Sequence, residues 1–196
     1  MEIISLACAY SSQKHIAVLA KGGIVIYPSS NCYGICCDIF HQKAVDTISA
    51  IKNRDRTKPY TILVRDKKHF AEYGKYSQCI DYYLGKHPSS LFTFVVPSLS
   101  AVPQCLNAGC ETIGIMVARG IEHTLFCAYP HALINTSANR SSMPTCFDIA
   151  HISEQLGDSL EYVDLVIDGG VLMPAASSTI IKICGDKHEV LRGSIQ

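Results

Sequence analysis

The chain has 196 residues, with 17 basic and 17 acidic side chains and a formal net charge of zero. That length suits one domain spanning 1–196, which can bury roughly 70% of the surface its unfolded chain exposes and needs no covalent staple. The neutral balance argues against a protein that coats DNA or an acidic membrane, though it leaves room for a local basic site for a small phosphate compound; no run approaches the ~20 apolar residues of a membrane span and MEIISLACAYSSQKH lacks a signal-peptide pattern, so a soluble, cytoplasmic protein is expected.

Residues 12–21 carry Ile16, Ala17, Leu19 and Ala20 and stop at Gly22-Gly23, which predicts a helix and its end. GIVIY (23–27) follows as a strand. A second helix is predicted over 41–52, where Val45, Ile48 and Ile51 recur at three-residue spacing. TILVR (61–65) reads as a strand, and Asp66 is placed to cap a helix over 67–73. FTFVV (92–96) and TIGIMV (112–117) are strands. Helices are predicted over 120–129 and 147–156, the latter stopped by Gly157. DLVID (164–168) and STIIKI (178–183) close the series. The strands are Ile- and Val-rich and too short for helices. This is an α/β chain with helices laid on a twisted sheet. It is not a regular βαβ series, because 164–196 is nearly all strand and turn.

Ten cysteines invite a metal or disulfide reading that their spacing does not support. Cys32, Cys36 and Cys37 cluster, but no paired C-x-x-C set or nearby His pair accompanies them. They are expected to be reduced thiols acting as small apolar residues. No metal ligand set and no base for a nucleophile is assigned among the scattered histidines.

Four stretches could carry chemistry. IKNRDRTKPY (51–60) puts Lys52, Arg54, Arg56 and Lys58 at every second position. If the stretch is extended, they share one face and form a cationic strip able to grip a polyphosphate. The residue before Pro59 favours that path. The alternative is solvated cations beside a helix C-terminus. GIVIYPSSNCYGICCD (23–38) runs an apolar strand into Pro28 and then Ser29, Ser30, Asn31 and Tyr33, with Gly34 allowing close approach of backbone. It serves equally as an ordinary polar turn. LINTSANRSSMP (133–144) gathers Asn135, Thr136, Ser137 and Asn139, which can donate to phosphate or sugar or cap a helix. Asp168-Gly169-Gly170 marks a turn ahead of Ser177, Ser178 and Thr179, and Arg192 lies near the end; a β-hairpin with an exposed Arg would read the same.

Taken in order, these residues resemble the YrdC/TsaC-like family, the L-threonylcarbamoyladenylate synthases. The likeness runs from about residue 12 to 195. It rests on YPSSNCYG, on Lys52, Arg54, Lys58 and Pro59, on Thr136-Ser137-Ala138-Asn139, on Asp168–Gly170, and on Ser178-Thr179-Ile180 with Arg192. The resemblance implies a single YrdC-like α/β domain with a twisted mixed sheet and flanking helices around a deep basic cleft. It implies a nucleotidyltransferase that joins L-threonine, bicarbonate and ATP into threonylcarbamoyl-AMP and pyrophosphate. Threonylcarbamoyl transferase proteins would then pass the group to tRNA, and magnesium would arrive with ATP. Carried over by position, Lys52 and Arg54 would be catalytic. Lys52, Arg54, Ser137, Asn139 and Arg192 would hold the nucleotide, and Ser29, Asn31, Lys58 and Ser178 the threonine and carbamate.

The chain departs from that pattern at the amino-acid end. Ser30 replaces an acid and Asn31 a threonine, and PSSLF stands in place of the usual Pro-Gly-Pro before Thr93-Phe94. Met116 stands where an Arg is expected to meet the amino acid's carboxylate; Arg119, three residues on, points to the opposite face if the strand continues. Losing a charged partner of a buried carboxylate costs about 1.5–3 kcal/mol, or about tenfold in affinity and more. Two other readings therefore accompany the synthase: ATP-dependent carbamoyl transfer to another acceptor, and a YciO-like, non-catalytic protein that binds double-stranded RNA.

Overall fold

The computed structural model describes residues 1–185 and 187–195. The chain opens with β1 (Glu2–Ser5), α1 (Leu6–Ser12) and α2 (Lys14–Ala20), then the hairpin β2 (Val25–Pro28) and β3 (Tyr33–Cys36). It continues through α3 (Gln42–Ile51), β4 (Thr61–Val64), α4 (Lys67–Tyr73), α5 (Gln78–Lys86), β5 (Phe92–Pro97) and β6 (Thr112–Val117). After α6 (Gly120–Phe126) come the two-residue strands β7 (Leu133–Ile134) and β8 (Thr136–Ser137). The chain closes with α7 (Ile149–Leu156), a 3₁₀ segment (Gly157–Tyr162), β9 (Leu165–Asp168), β10 (Thr179–Cys184) and β11 (Lys187–Arg192).

The strands form two mixed sheets, not the single sheet expected: one in the order β1-β9-β2-β3-β8, the other β11-β10-β5-β6-β4-β7. Apolar runs such as VIYP and TILV are buried almost throughout, as strands covered on both faces must be. Ala44, Val45, Ile48 and Ile51 of α3 join the larger core, with Ile26, Ile62, Phe94 and Ile134 from both sheets. A second core lies under α1, α2 and α6, where Ala9, Leu19, Leu125 and Phe126 meet Val25, Tyr27 and Leu165.

The predicted helices have local causes. Asp66 accepts from the backbone N–H of His69 at 2.7 Å, opening α4 as expected. Asp148 does the same for His151 at 2.8 Å and sets the start of α7. Gly157 takes φ +50° and ends that helix. The helix expected over 12–21 is broken at Gln13, whose left-handed φ of 49° separates α1 from α2. Gly34 faces Tyr27 across the hairpin, and a Cβ there would lie 2.9 Å from the Tyr27 ring. Gly34→Ala is expected to cost about 1–3 kcal/mol in denaturant unfolding, because the fully buried ring has no room to yield.

The short strands β7 and β8 position the site. Leu133 and Ile134 pair with β4 of one sheet, and Thr136 and Ser137 pair with β3 of the other. Asn135 lies between, at the crossing from sheet to sheet, its N–H held by Thr61 O at 2.9 Å.

Candidate functional site

At that crossing the sheets enclose a cavity of about 400 Å³. Its wall includes Ser29 and Asn31 from the β2–β3 loop, Arg54 and Tyr60 from the segment after α3, Ser137, Ser178 and Arg192. A shallower hollow of about 360 Å³ adjoins it through Arg54, Thr136 and Ser137 and adds Lys52, Lys58 and Asn139. The structure thus brings all nine predicted site residues to one region, from stretches as distant as 29 and 192.

The cationic strip does not form. Lys52 caps α3 in helical conformation, Asn53 turns back with φ 48°, and the Lys58 N–H closes a turn onto Asp55 O at 3.1 Å. The helix end overrides the alternation, so the four cations point different ways. Arg56 is exposed and lies 3.5 Å from Asp46. Lys58 is exposed at the rim of the hollow, apart from Ser29, Asn31 and Ser178 with which it was grouped.

Lys52 turns inward and is 3% exposed. Its ammonium donates to the carbonyls of Ser137 and of Asn139 (2.6 Å) and approaches Asn139 Oδ1 at 3.4 Å. Burial, with the charge of Arg54 adding, pushes its pKa down to about 8. Lys52 therefore braces the 137–139 turn and supplies positive charge from behind it. Asn139 is spent on the same turn, accepting from the Ser137 hydroxyl and donating to Met143 O at 2.6 Å and Arg140 O at 3.0 Å.

Arg54 is the cation of the stretch that reaches the cavity. Its guanidinium lies 4.5 Å from the centre of the Tyr60 ring and donates to Pro59 O at 2.8 Å. Its Nε is buried without a hydrogen-bond partner. Arg192 donates to Ser178 O at 3.0 Å and to Ser178 Oγ at 3.3 Å, and that hydroxyl lies 2.9 Å from Thr93 Oγ1. Arg192 and Ser178, expected at opposite ends of the substrates, are thus one unit, because β10 and β11 are neighbouring strands. Ser29 Oγ lies 2.6 Å from Cys32 O and 3.0 Å from Asn31 Oδ1, closing the β2–β3 loop on itself.

One feature of the wall escaped the sequence, and one residue of the 133–144 cluster outside the predicted site set also stands on it. Glu122, in the first turn of α6, is 3% exposed and lines the cavity. Its carboxylate accepts from the Ser30 N–H at 2.9 Å and the Ser30 hydroxyl at 2.5 Å. An acid at a helix start ordinarily reads as a partner of the helix dipole, and no local signal ties it to residue 30. Asn135 accepts from the Tyr27 hydroxyl at 2.7 Å and places its amide nitrogen 3.4 Å from Met116 Sδ.

Arg119 does not take the place of the missing Arg. Strand β6 ends at Val117, and Arg119 turns to the far end of α5, donating to Leu84 O (2.6 Å), His87 O (3.2 Å) and Pro88 O (2.6 Å). It satisfies one carbonyl of the last turn of that helix and two just past its end. Arg119→Met is expected to cost about 2 kcal/mol in thermal or denaturant unfolding.

The cysteines behave as small apolar residues where buried. Burial holds the Cys32 thiol up at about 11 and pushes Cys36 well above the ordinary range. Among the described residues no helix is long and apolar enough to cross a membrane.

Comparison with known proteins gives the family and the fold. The Sua5_yciO_yrdC family, described as "Telomere recombination", matches residues 17–194. The threonylcarbamoyl-AMP synthase of Idiomarina loihiensis is 26% identical over 158 residues, which cover 79% of this chain and 85% of that one. Among solved structures, P. abyssi Sua5 complexed with L-threonine superposes with a TM-score of 0.85 at 20% identity, over 98% of this chain and 57% of that one. This chain thus spans little more than half the length of that Sua5 structure, and the likeness there is one of fold. E. coli YciO gives a TM-score of 0.75 at 26% identity, over 91% of this chain and 86% of that one. The chain belongs to the Sua5/YciO/YrdC family.

Proposed function

We propose that the chain forms a carbamoyl-type adenylate from ATP, bicarbonate and an amine. The amine and bicarbonate give a carbamate with loss of water. A carbamate oxygen then attacks the α-phosphorus of ATP, and the bond to pyrophosphate breaks. The observation that carries this reading is the convergence of Arg54, Arg192 and the Lys52-braced 137–139 turn on one cavity. Arg54 and Arg192 would take phosphate oxygens, and their fixed charges act where charge grows as pyrophosphate leaves. Ser137 stands on the wall between cavity and hollow, where a nucleotide would lie across both. Ser29, Asn31 and Ser178 would orient the carbamate. Magnesium enters as the companion of the ATP phosphates.

L-Threonine is the amine named by the relatives' activity, and on that reading the product serves threonylcarbamoyl transferase proteins that modify tRNA. A second reading keeps the adenylate chemistry and changes the amine. It is favoured by Met116 on the cavity wall and by Arg119 being committed to α5. Pyrophosphate release from ATP and bicarbonate, with each of the twenty amino acids in turn, tests both. Release confined to threonine supports the first, and release without preference supports the second. No release under any condition, with duplex RNA retarded on a gel, overturns both in favour of a YciO-like RNA-binding role.

A further inference from the structure

We propose that Glu122 selects the acceptor, so that the site takes an amine whose far end presents an N–H donor, a carboxamide or a second ammonium, in place of a free carboxylate. This rests on the adenylate reading above and narrows its acceptor.

The charges on the cavity wall carry the inference. Among the described residues lining it, Arg54, Arg192 and Glu122 bear charge. The two cations are tied to other walls, Arg54 to Pro59 and Tyr60 and Arg192 to Ser178. Glu122 is tied to the β2–β3 loop at Ser30, and Met116 and Asn135, which touch each other, line the same cavity. Burial is what holds the Tyr27 phenol and the Cys32 thiol protonated, and Glu122 adds a lesser push, behind Cys36 for the phenol and last of the causes for the thiol.

A carboxylate offers about four acceptor sites, and Ser30 occupies two of them from one side. The unspent acceptors are what a donor on the ligand would meet. A ligand carboxylate entering this end would instead face Glu122, where Met116 offers a thioether and the guanidinium of Arg119 is spent on the carbonyls of Leu84, His87 and Pro88. Like charges in a partly desolvated cavity repel, and an unpaired buried carboxylate is costly. Beside Ser30 this wall carries the negative charge of Glu122, and at residue 116 it carries a thioether. The sign of this end sets the ligand group that it accepts.

L-Threonine and L-threoninamide test this directly, because they differ in one group at the relevant end. Each is titrated calorimetrically into the wild-type chain without bicarbonate, with and without ATP. Binding is the deciding readout, because the amide's amine is also less basic and would confound turnover. The amide is expected to bind about tenfold tighter than threonine or better, and Glu122→Gln is expected to shrink that gap to about threefold or less. Threonine binding as tightly as its amide, neither binding, or a gap untouched by Glu122→Gln overturns the proposal. Pyrophosphate release is followed in parallel. A preference for the amide without release by any amine would sink the adenylate reading while leaving the selectivity of the cavity standing.

Discussion

Lys52→Ala is expected to stop pyrophosphate release from ATP and to lower unfolding free energy by about 2 kcal/mol. The two losses share a cause. Without the ammonium, the carbonyls of Ser137 and Asn139 lose a buried donor, at about 1–3 kcal/mol for each group left unpaired. Removing a buried charge offsets part of this, since burial already disfavours the protonated amine. Lys52→Met keeps the stem's packing and removes the charge, so it should recover part of the stability and none of the activity. The comparison of wild type with Lys52→Met also carries a pH signature. Below about pH 8 Lys52 is protonated in both folded and unfolded chains, and the cost of burying its charge is fully present. As pH rises from there toward the ordinary lysine range, the unfolded chain holds more protons and the folded one is relieved. Wild type should therefore gain on Lys52→Met by on the order of 3 kcal/mol across that window, while its own turnover falls as the charge is lost. Normal turnover of Lys52→Ala at saturating ATP would remove this residue from the mechanism.

Met116→Arg is expected to reverse the choice of acceptor. Met116 lines the cavity and is partly buried against the second core, so an Arg stem can follow the same path with its guanidinium toward the cavity. It would meet Glu122, cancel the negative end, and offer a fork to a ligand carboxylate. L-Threonine should then bind about tenfold tighter than to wild type, and L-threoninamide more weakly. Calorimetry reads both. Unchanged or weaker threonine binding would show that residue 116 does not face the acceptor.

The strands were legible where β-branched runs are long enough to bury. Strand β6 occupies the predicted span Thr112–Val117, and β5 and β10 each fall within a residue of theirs. Helix α4 was readable from its Asp66 cap. Other elements lacked such marks. Helix α5 is preceded by Ser77, which makes no side-chain cap bond, and its buried Ile80, Tyr83 and Leu84 are diluted by polar neighbours. Strand β3 reads YGIC, with a glycine that argues against a strand until Tyr27 is seen to lie across it. Two-residue strands such as β7 and β8 are too short for any periodicity.

The site was legible as a set of residues and misread as a shape. Ser137, Ser178 and Arg192 do line one cavity, with Asn139 in the hollow beside it, because sheet topology brings their loops together. Alternating charge at 52–58 suggested one face, but the αR cap at Lys52 and the left-handed Asn53 turned Lys52 inward and left Arg54 alone toward the cavity. Glu122 was invisible for a different reason: its partner lies 92 positions away at Ser30, and nothing in either neighbourhood announces the other.

Residues 133–137 pair with both sheets, and this has a mechanical consequence. To pry the two halves apart, either the Asn135 N–H must leave Thr61 O, or the Ile134 and Ala138 N–H groups must leave Cys37 O and Tyr33 O. These three amides form one rivet across the gap. The aperture for ligand is consequently a fixed slot and not a jaw, its width set during folding. Hydrogen–deuterium exchange at those three positions should accordingly be slow and share a single rate, with or without nucleotide.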